Sequence, residues 1–75
     1  PSPITRFESL DEDADGTLHL VVGAEDGLYA LRAKRGGEVR SVHLPGTSSG
    51  AFRAGHGWAS GSGGMLTSSG DGVDW

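Results

Sequence analysis

The chain has 75 residues, of which 14 are glycine and none is cysteine, and 35% are hydrophobic. This length allows one small domain, and the glycine content disfavours a helical bundle because glycine costs about 1 kcal/mol relative to alanine inside a helix. The lack of cysteine excludes disulfides and thiolate metal sites. The net charge of -4 makes nucleic acid a poor partner, and no apolar run approaches the roughly 20 residues of a transmembrane helix, so no membrane partner is expected.

The first residue is Pro1 rather than an initiator methionine, and no basic-then-apolar signal peptide opens the sequence. We therefore expect a processed chain, an excised piece or an engineered one. The sequence leaves the localisation open.

Apolar residues recur at every second position, which is typical of β-strands. Residues 23–27 form a turn between two such runs and predict a hairpin, and the Pro45-Gly46 dipeptide ends a later run. The predicted strands cover residues 4–10, 18–22, 28–31, 39–44, 51–54, 58–60 and 65–68, and residues 73–75 begin a further one.

An internal repeat of 37 residues is the most informative pattern. At that offset His19 aligns with His56 and Gly27 with Gly64, and the order of strand, turn and strand is the same in both halves. Each half has about four short strands, which is the size of one blade of a β-propeller. The predicted fold is therefore all-β, with two four-stranded blades forming a single module over residues 1–75: blade 1 covers about 4–45 and blade 2 about 46–75.

Both halves resemble a known group of propellers. Residues 57–75, GWASGSGGMLTSSGDGVDW, resemble the GWA(S/V)GxxGxxxxTxDGGxxW blade of the Asp-box (BNR) propellers, which include photosystem II assembly factors, sortilin-like proteins and sialidases. Residues 15–29 resemble the DGTLxVGTEDGLY blades of the same broad group. The two resemblances together cover most of residues 11–75 and imply a propeller fold.

The Asp box itself is incomplete in this chain. In the pattern S-x-D-x-G-x-T-W, Ser68, Gly72 and Trp75 match, whereas the aspartate and threonine positions hold Gly70 and Asp74. In these families the box folds a hairpin away from any catalytic centre. The resemblance therefore implies a structural role for the box.

Two blades cannot close a ring, which needs typically four to eight. Each blade buries its faces only against neighbouring blades, so an isolated pair exposes two of them. We expect self-association to a trimer or tetramer, or completion by other chains of a larger propeller. A compact stand-alone β domain is the third alternative.

An acidic loop is a candidate calcium site. Asp11, Asp13 and Asp15 precede Gly16 in the pattern D-x-D-x-D-G, in which alternate carboxylates face one ion. The loop resembles the calcium hairpins of integrin-type FG-GAP propellers, although His19 stands where those loops have an aspartate. The alternative is an exposed acidic turn without metal.

Three large amphipathic aromatic residues, Trp58, Trp75 and Tyr29, are the candidate ligand-binding residues. Such rings stack on sugars in carbohydrate-binding propellers, and in other propellers they pack blade against blade. The arginines are dispersed and tyrosine occurs once, which disfavours a sialidase-like active site. We therefore predict a non-enzymatic module for assembly, ligand binding or protein binding; the alternatives are a lectin-like glycan binder formed at blade junctions and a fragment of an Asp-box glycosidase-type propeller.

Overall fold

The computed structural model describes residues 3–75, apart from the side chain of Ser69, and confirms an all-β chain. No helix in this part of the chain is long and apolar enough to cross a membrane. The described strands are β1 (Ile4–Glu12), β2 (Leu18–Ala24), β3 (Gly27–Ala33), β4 (Val39–Leu44), β5 (Ser49–Arg53), β6 (His56–Gly61) and β7 (Gly64–Ser69).

The strands form two antiparallel sheets with neighbouring strands in chain order. The first sheet has the order β1-β2-β3-β4, and the second has the order β5-β6-β7. Over residues 3–75 the second sheet thus has three strands where four were predicted. Residues 73–75, predicted to begin a strand, do not form one. Instead the Asp71 carboxylate accepts hydrogen bonds from the Val73 and Asp74 amides at 3.0 and 2.9 Å, which folds this segment into a turn.

The first strand is longer than predicted. It continues past Leu10 because Asp11 pairs with His19 and Glu12 pairs with Leu18. The acidic loop is correspondingly short, and the Asp13 amide closes it by donating to the Thr17 carbonyl at 2.8 Å.

The 37-residue repeat is visible in the strand register. In the first sheet Val22 pairs with Tyr29. In the second sheet Ala59 pairs with Leu66, and these two residues lie 37 positions after Val22 and Tyr29. Both hairpins turn through two residues, and the residue after each turn is a glycine with positive φ: Gly27 at 122° and Gly64 at 105°. The left-handed region of φ favours glycine, so these two positions fix equivalent turns.

The two sheets pack face to face around one apolar core. The first sheet contributes larger side chains, whereas the second contributes small residues and the fully buried ring of Phe52. A side chain at Gly50 would meet the Trp58 carbonyl oxygen at 2.5 Å and Leu28 Cδ1 at 2.9 Å, so only glycine permits this approach. The core residues are Val21, Leu28, Ala30, Leu44, Phe52 and Ala59.

Side chains of β1 reach the backbone of β5, one of the two edge strands of the second sheet, and that of Ala54 directly after it. Ser9 Oγ accepts a hydrogen bond from the Phe52 amide at 3.3 Å, and Asp11 Oδ2 accepts one from the Ala54 amide at 2.9 Å. These bonds satisfy edge amides that no strand pairs. They also fix β1 alongside β5.

Candidate functional site

The outward side of the first sheet is an apolar surface. Successive side chains of a strand point to opposite faces, and directly paired residues share a face. The positions that alternate with the core residues therefore face away from the second sheet. We call this surface the first outer face; it consists of Ile4, Phe7, Leu10, Glu12, Leu18, Leu20, Val22, Tyr29, Leu31, Ala33, Val39, Ser41 and His43.

The outward side of the second sheet combines four small residues with four large side chains, one of which is an indole ring. Trp58 is 46% exposed, and Met65 beside it is 69% exposed. Arg53 and His56 lie at the end of this surface nearest the acidic loop. We call it the second outer face; it consists of Ser49, Ala51, Arg53, His56, Trp58, Ser60, Met65 and Thr67.

Exposed apolar side chains concentrate on these two faces. Among the described residues eight large hydrophobic side chains are exposed, and seven of them belong to the two faces. Single exposed hydrophobic residues are ordinary on protein surfaces, whereas contiguous apolar patches mark contact sites. The eighth, Leu66, pairs with Ala59 on the inward side of the second sheet.

The three predicted ligand-binding aromatics do not meet in one site. Tyr29 lies on the first outer face, where its ring stacks on His43 at 4.5 Å and its hydroxyl donates to Asp26 Oδ2 at 2.8 Å. That hydrogen bond to a carboxylate raises the pKa of Tyr29 above its usual value. Trp58 lies on the opposite outer face of the molecule.

Trp75 lines an open cleft beside the second sheet. Its ring meets Phe52 edge-on at 6.5 Å, and its Nε1 donates to the Gly72 carbonyl at 2.7 Å. The buried hydroxyl of Ser68 also lines this cleft and has no hydrogen-bond partner among the described residues. The cleft measures about 530 Å³ and is lined by His56, Gly57, Thr67, Ser68, Asp74 and Trp75.

The three aspartates of the acidic loop have different partners. Asp11 binds the Ala54 amide, Asp13 Oδ2 lies 2.8 Å from His19 Nε2, and Asp15 Oδ1 accepts from the Thr17 amide at 3.0 Å. The Thr17 bonds lower the pKa of Asp15. Within residues 3–75 no three His, Cys, Asp or Glu side chains are arranged to hold a metal ion.

Calcium binding by this loop stays a prediction. It requires Asp11, Asp13 and Asp15 to leave these partners and converge on one ion. A calcium-dependent rise in melting temperature that is lost in Asp13→Ala tests it.

No sequence motif predicts two sets of hydrogen bonds that fix the positions of the sheets. Thr47 Oγ1 accepts from the Leu28 amide at 3.1 Å and donates to the Leu44 carbonyl at 2.5 Å, which joins the connection between the sheets to β3 and β4. The bonds from β1 side chains to β5 are the second set. The available signal for it is that Ser9 and Asp11 lie on the same side of an extended segment, but the sequence pattern predicts the end of that strand at Leu10.

Comparisons of the chain with protein-family models, with curated proteins and with solved structures give no match. The resemblance to Asp-box propellers stays a prediction. The two outer faces and the cleft beside Trp75 are therefore the features from which a function can be argued.

Proposed function

We propose that this chain is a non-enzymatic β-repeat module of the propeller type, which acts in assembly by burying its two outer faces against neighbouring β-sheets. The observation that carries this proposal is the concentration of exposed apolar side chains on those faces. In repeat architectures each unit packs on one side of the next, so every unit is stabilised by its neighbours.

The contact within the chain supports the proposal. The inward sides of the sheets pack large residues of the first sheet on glycine and alanine of the second, with Phe52 as the one aromatic ring. On the outer faces, the first carries mostly large apolar residues, and the second carries small residues beside the exposed side chains of Trp58 and Met65. Each outer face therefore offers apolar surface to a neighbouring sheet, and the second also offers space beside its small residues.

The acidic side chains support a structural role rather than a catalytic one. Asp11, Asp15 and Asp71 each accept a backbone amide hydrogen bond in a turn or at a strand edge. Carboxylates held in this way stabilise local structure. We therefore assign them to the fold.

The dependence of stability on protein concentration tests the proposal. Association through the outer faces stabilises the folded state by mass action, so we expect the melting temperature to rise with protein concentration. The matched variant Met65→Lys places a charge on the second outer face and should remove the dependence. A melting temperature of the parent chain that is the same at low and high concentration contradicts the proposal.

Glycan binding is a second candidate function, because of the cleft beside Trp75. A partly buried indole ring beside hydroxyl, imidazole and carboxylate groups is a composition that binds sugars. Here Trp75 supplies the ring, Ser68 and Thr67 supply hydroxyls, and Asp74 supplies the carboxylate.

Tryptophan fluorescence tests the second candidate. In a Trp58→Phe background the signal reports Trp75 alone, and titration with neutral monosaccharides should change it. Asp74→Ala should weaken that change, and Asp26→Ala, far along the chain from the cleft, is the control. A signal that no monosaccharide changes contradicts glycan binding in this cleft.

A further inference from the structure

We infer that a second copy of this chain covers the exposed faces head to tail, so that the first outer face of one copy packs on the second outer face of the next. The inference rests on the proposed function and names its partner. It follows from the way in which the 37-residue repeat relates buried contacts to exposed residues.

The repeat exchanges inward and outward positions. Val21 and Leu28 belong to the core on the inward side of the first sheet. Their equivalents 37 positions later, Trp58 and Met65, lie on the second outer face. The outward side of the second sheet is therefore the counterpart of the inward side of the first.

The converse relation holds for the other pair of faces. Ala59 and Leu66 point inward from the second sheet, and their equivalents 37 positions earlier, Val22 and Tyr29, lie on the first outer face. The two sheets thus stack in the same sense rather than back to back. A contact of this kind is heterologous and can be continued by a further copy on either side.

The most exposed apolar residues are counterparts of a buried contact. Leu28 packs directly over Gly50 in the core. In the register of the strands Met65 is the equivalent of Leu28, and Phe7 is the equivalent of Gly50. Met65 is 69% and Phe7 64% exposed, the two highest values among the exposed large hydrophobic residues of the described chain. Head-to-tail packing places Met65 against Phe7 of the next copy and buries both, with the sheets farther apart there than at Gly50 because a phenylalanine ring stands in the place of glycine.

A pair of opposite charges occupies the place of a hydrogen bond that joins the two sheets. The bond from the Ala54 amide to Asp11 joins the two sheets. In the strand register Arg53 is the equivalent of Asp11, and Glu12 is the equivalent of Ala54. The same packing therefore brings Arg53 to Glu12 of the next copy, with opposite charges. Neither residue forms an ion pair within residues 3–75.

A ring contact has its counterpart as well. His19 lies 4.5 Å from Phe52 between the sheets. Their equivalents are His56 on the second outer face and Leu10 on the first, which are both exposed. Three separate contacts within the chain thus predict three contacts between copies, at the middle and at one end of the interface.

Mixing two blocked variants tests this arrangement. Phe7→Lys blocks the first outer face, and Met65→Lys blocks the second with the same charge, so that the two lysines repel if the blocked faces meet. Native mass spectrometry should show the parent as an oligomer, each variant alone as a monomer, and the mixture as a one-to-one heterodimer that grows no further. Ala14→Lys and Ser62→Lys, which lie in turns, should oligomerise as the parent does.

A variant that fails to fold by circular dichroism is replaced by Leu10→Lys or Thr67→Lys, which block the same faces. A parent that stays monomeric overturns both the inference and self-association. A parent that associates, together with a blocked variant that still forms homodimers, overturns only the head-to-tail arrangement.

Exchanging the charge pair measures the register of the contact. Arg53→Glu alone and Glu12→Arg alone should each raise the dissociation constant about two- to fivefold, because exposed ion pairs contribute modestly. The double variant should return it to within about twofold of the parent value. A double variant whose dissociation constant is the product of the two single effects overturns the pairing of Arg53 with Glu12.

Discussion

The two sheets share a hairpin register but differ in the size of their side chains. The first sheet carries mostly large apolar residues on both sides, whereas the second mixes glycine, alanine and serine with a few large side chains, among them Phe52 and Leu66 inward and Trp58 and Met65 outward. Within the chain, the large inward residues of the first sheet pack on the small residues of the second. This difference is the basis of the proposal that the two exposed faces pack on neighbouring sheets in the same direction.

The largest expected effect on stability comes from disrupting the contact between the two inward faces. Phe52 is 1% exposed and fills the second sheet's side of the core, so Phe52→Ala should lower the free energy of unfolding by about 3–5 kcal/mol. Urea titration measures this loss. In a chain this small, that loss removes most of the stability.

Phe7→Ala is the matched control, because Phe7 is 64% exposed on the first outer face. At protein concentrations where the chain is monomeric, its unfolding free energy should change by no more than about 0.5 kcal/mol. Equal losses for the two phenylalanines would show that the two faces are not distinguished by burial.

A smaller effect distinguishes two buried hydroxyls: that of Thr47, which is hydrogen-bonded, and that of Ser68, which has no partner among the described residues. Thr47→Val keeps the shape of the side chain but removes both hydrogen bonds of Thr47 and leaves the Leu28 amide without its partner. We expect a loss of about 1–3 kcal/mol in the free energy of unfolding. Ser68→Ala removes a buried hydroxyl that has no partner among the described residues, so it should be neutral or slightly stabilising. Comparable losses for both variants contradict this assignment.

The smallest effect concerns two turns, one between β1 and β2 and one after β7. Amide hydrogen bonds hold the pKa of Asp15 below its usual value through Thr17, and that of Asp71 through Val73 and Asp74. A folded-state pKa that lies below the unfolded one adds stability above the unfolded pKa, and this stability is lost as the pH falls through the folded value. The urea midpoint should therefore decrease below about pH 4.

Asp71→Asn should make that decrease shallower, because it removes one of these two carboxylates whose pKa is lowered by turn amides. Asp74→Asn is the control: Asp74 accepts none of these turn amide bonds, so its substitution should leave the slope unchanged. An Asp71→Asn variant with the full acid dependence of the parent contradicts the role of its carboxylate.

Local patterns predicted much of the fold. The alternation of apolar residues and the two equivalent glycine turns were sufficient for the β2–β3 and β6–β7 hairpins, because their partners are close in sequence. The acidic pattern D-x-D-x-D-G predicts a loop from Asp11, but Asp11 and Glu12 pair with His19 and Leu18 and extend β1. The Asp11 carboxylate also accepts a hydrogen bond from the amide of Ala54, 43 residues away, which no local pattern predicts.

Local patterns do not predict the arrangement of the candidate site. Residue type groups Trp58, Trp75 and Tyr29, but strand alternation and the stacking of the two sheets separate them. The 37-residue repeat was visible in the sequence, yet its exchange of inward and outward faces required the register.

Sedimentation equilibrium of the unmodified chain tests the central claim most directly. If the outer faces are association surfaces, the weight-average mass should rise with concentration from 7.7 kDa towards a multiple of that value. A mass that stays at 7.7 kDa up to the highest soluble concentration contradicts the claim.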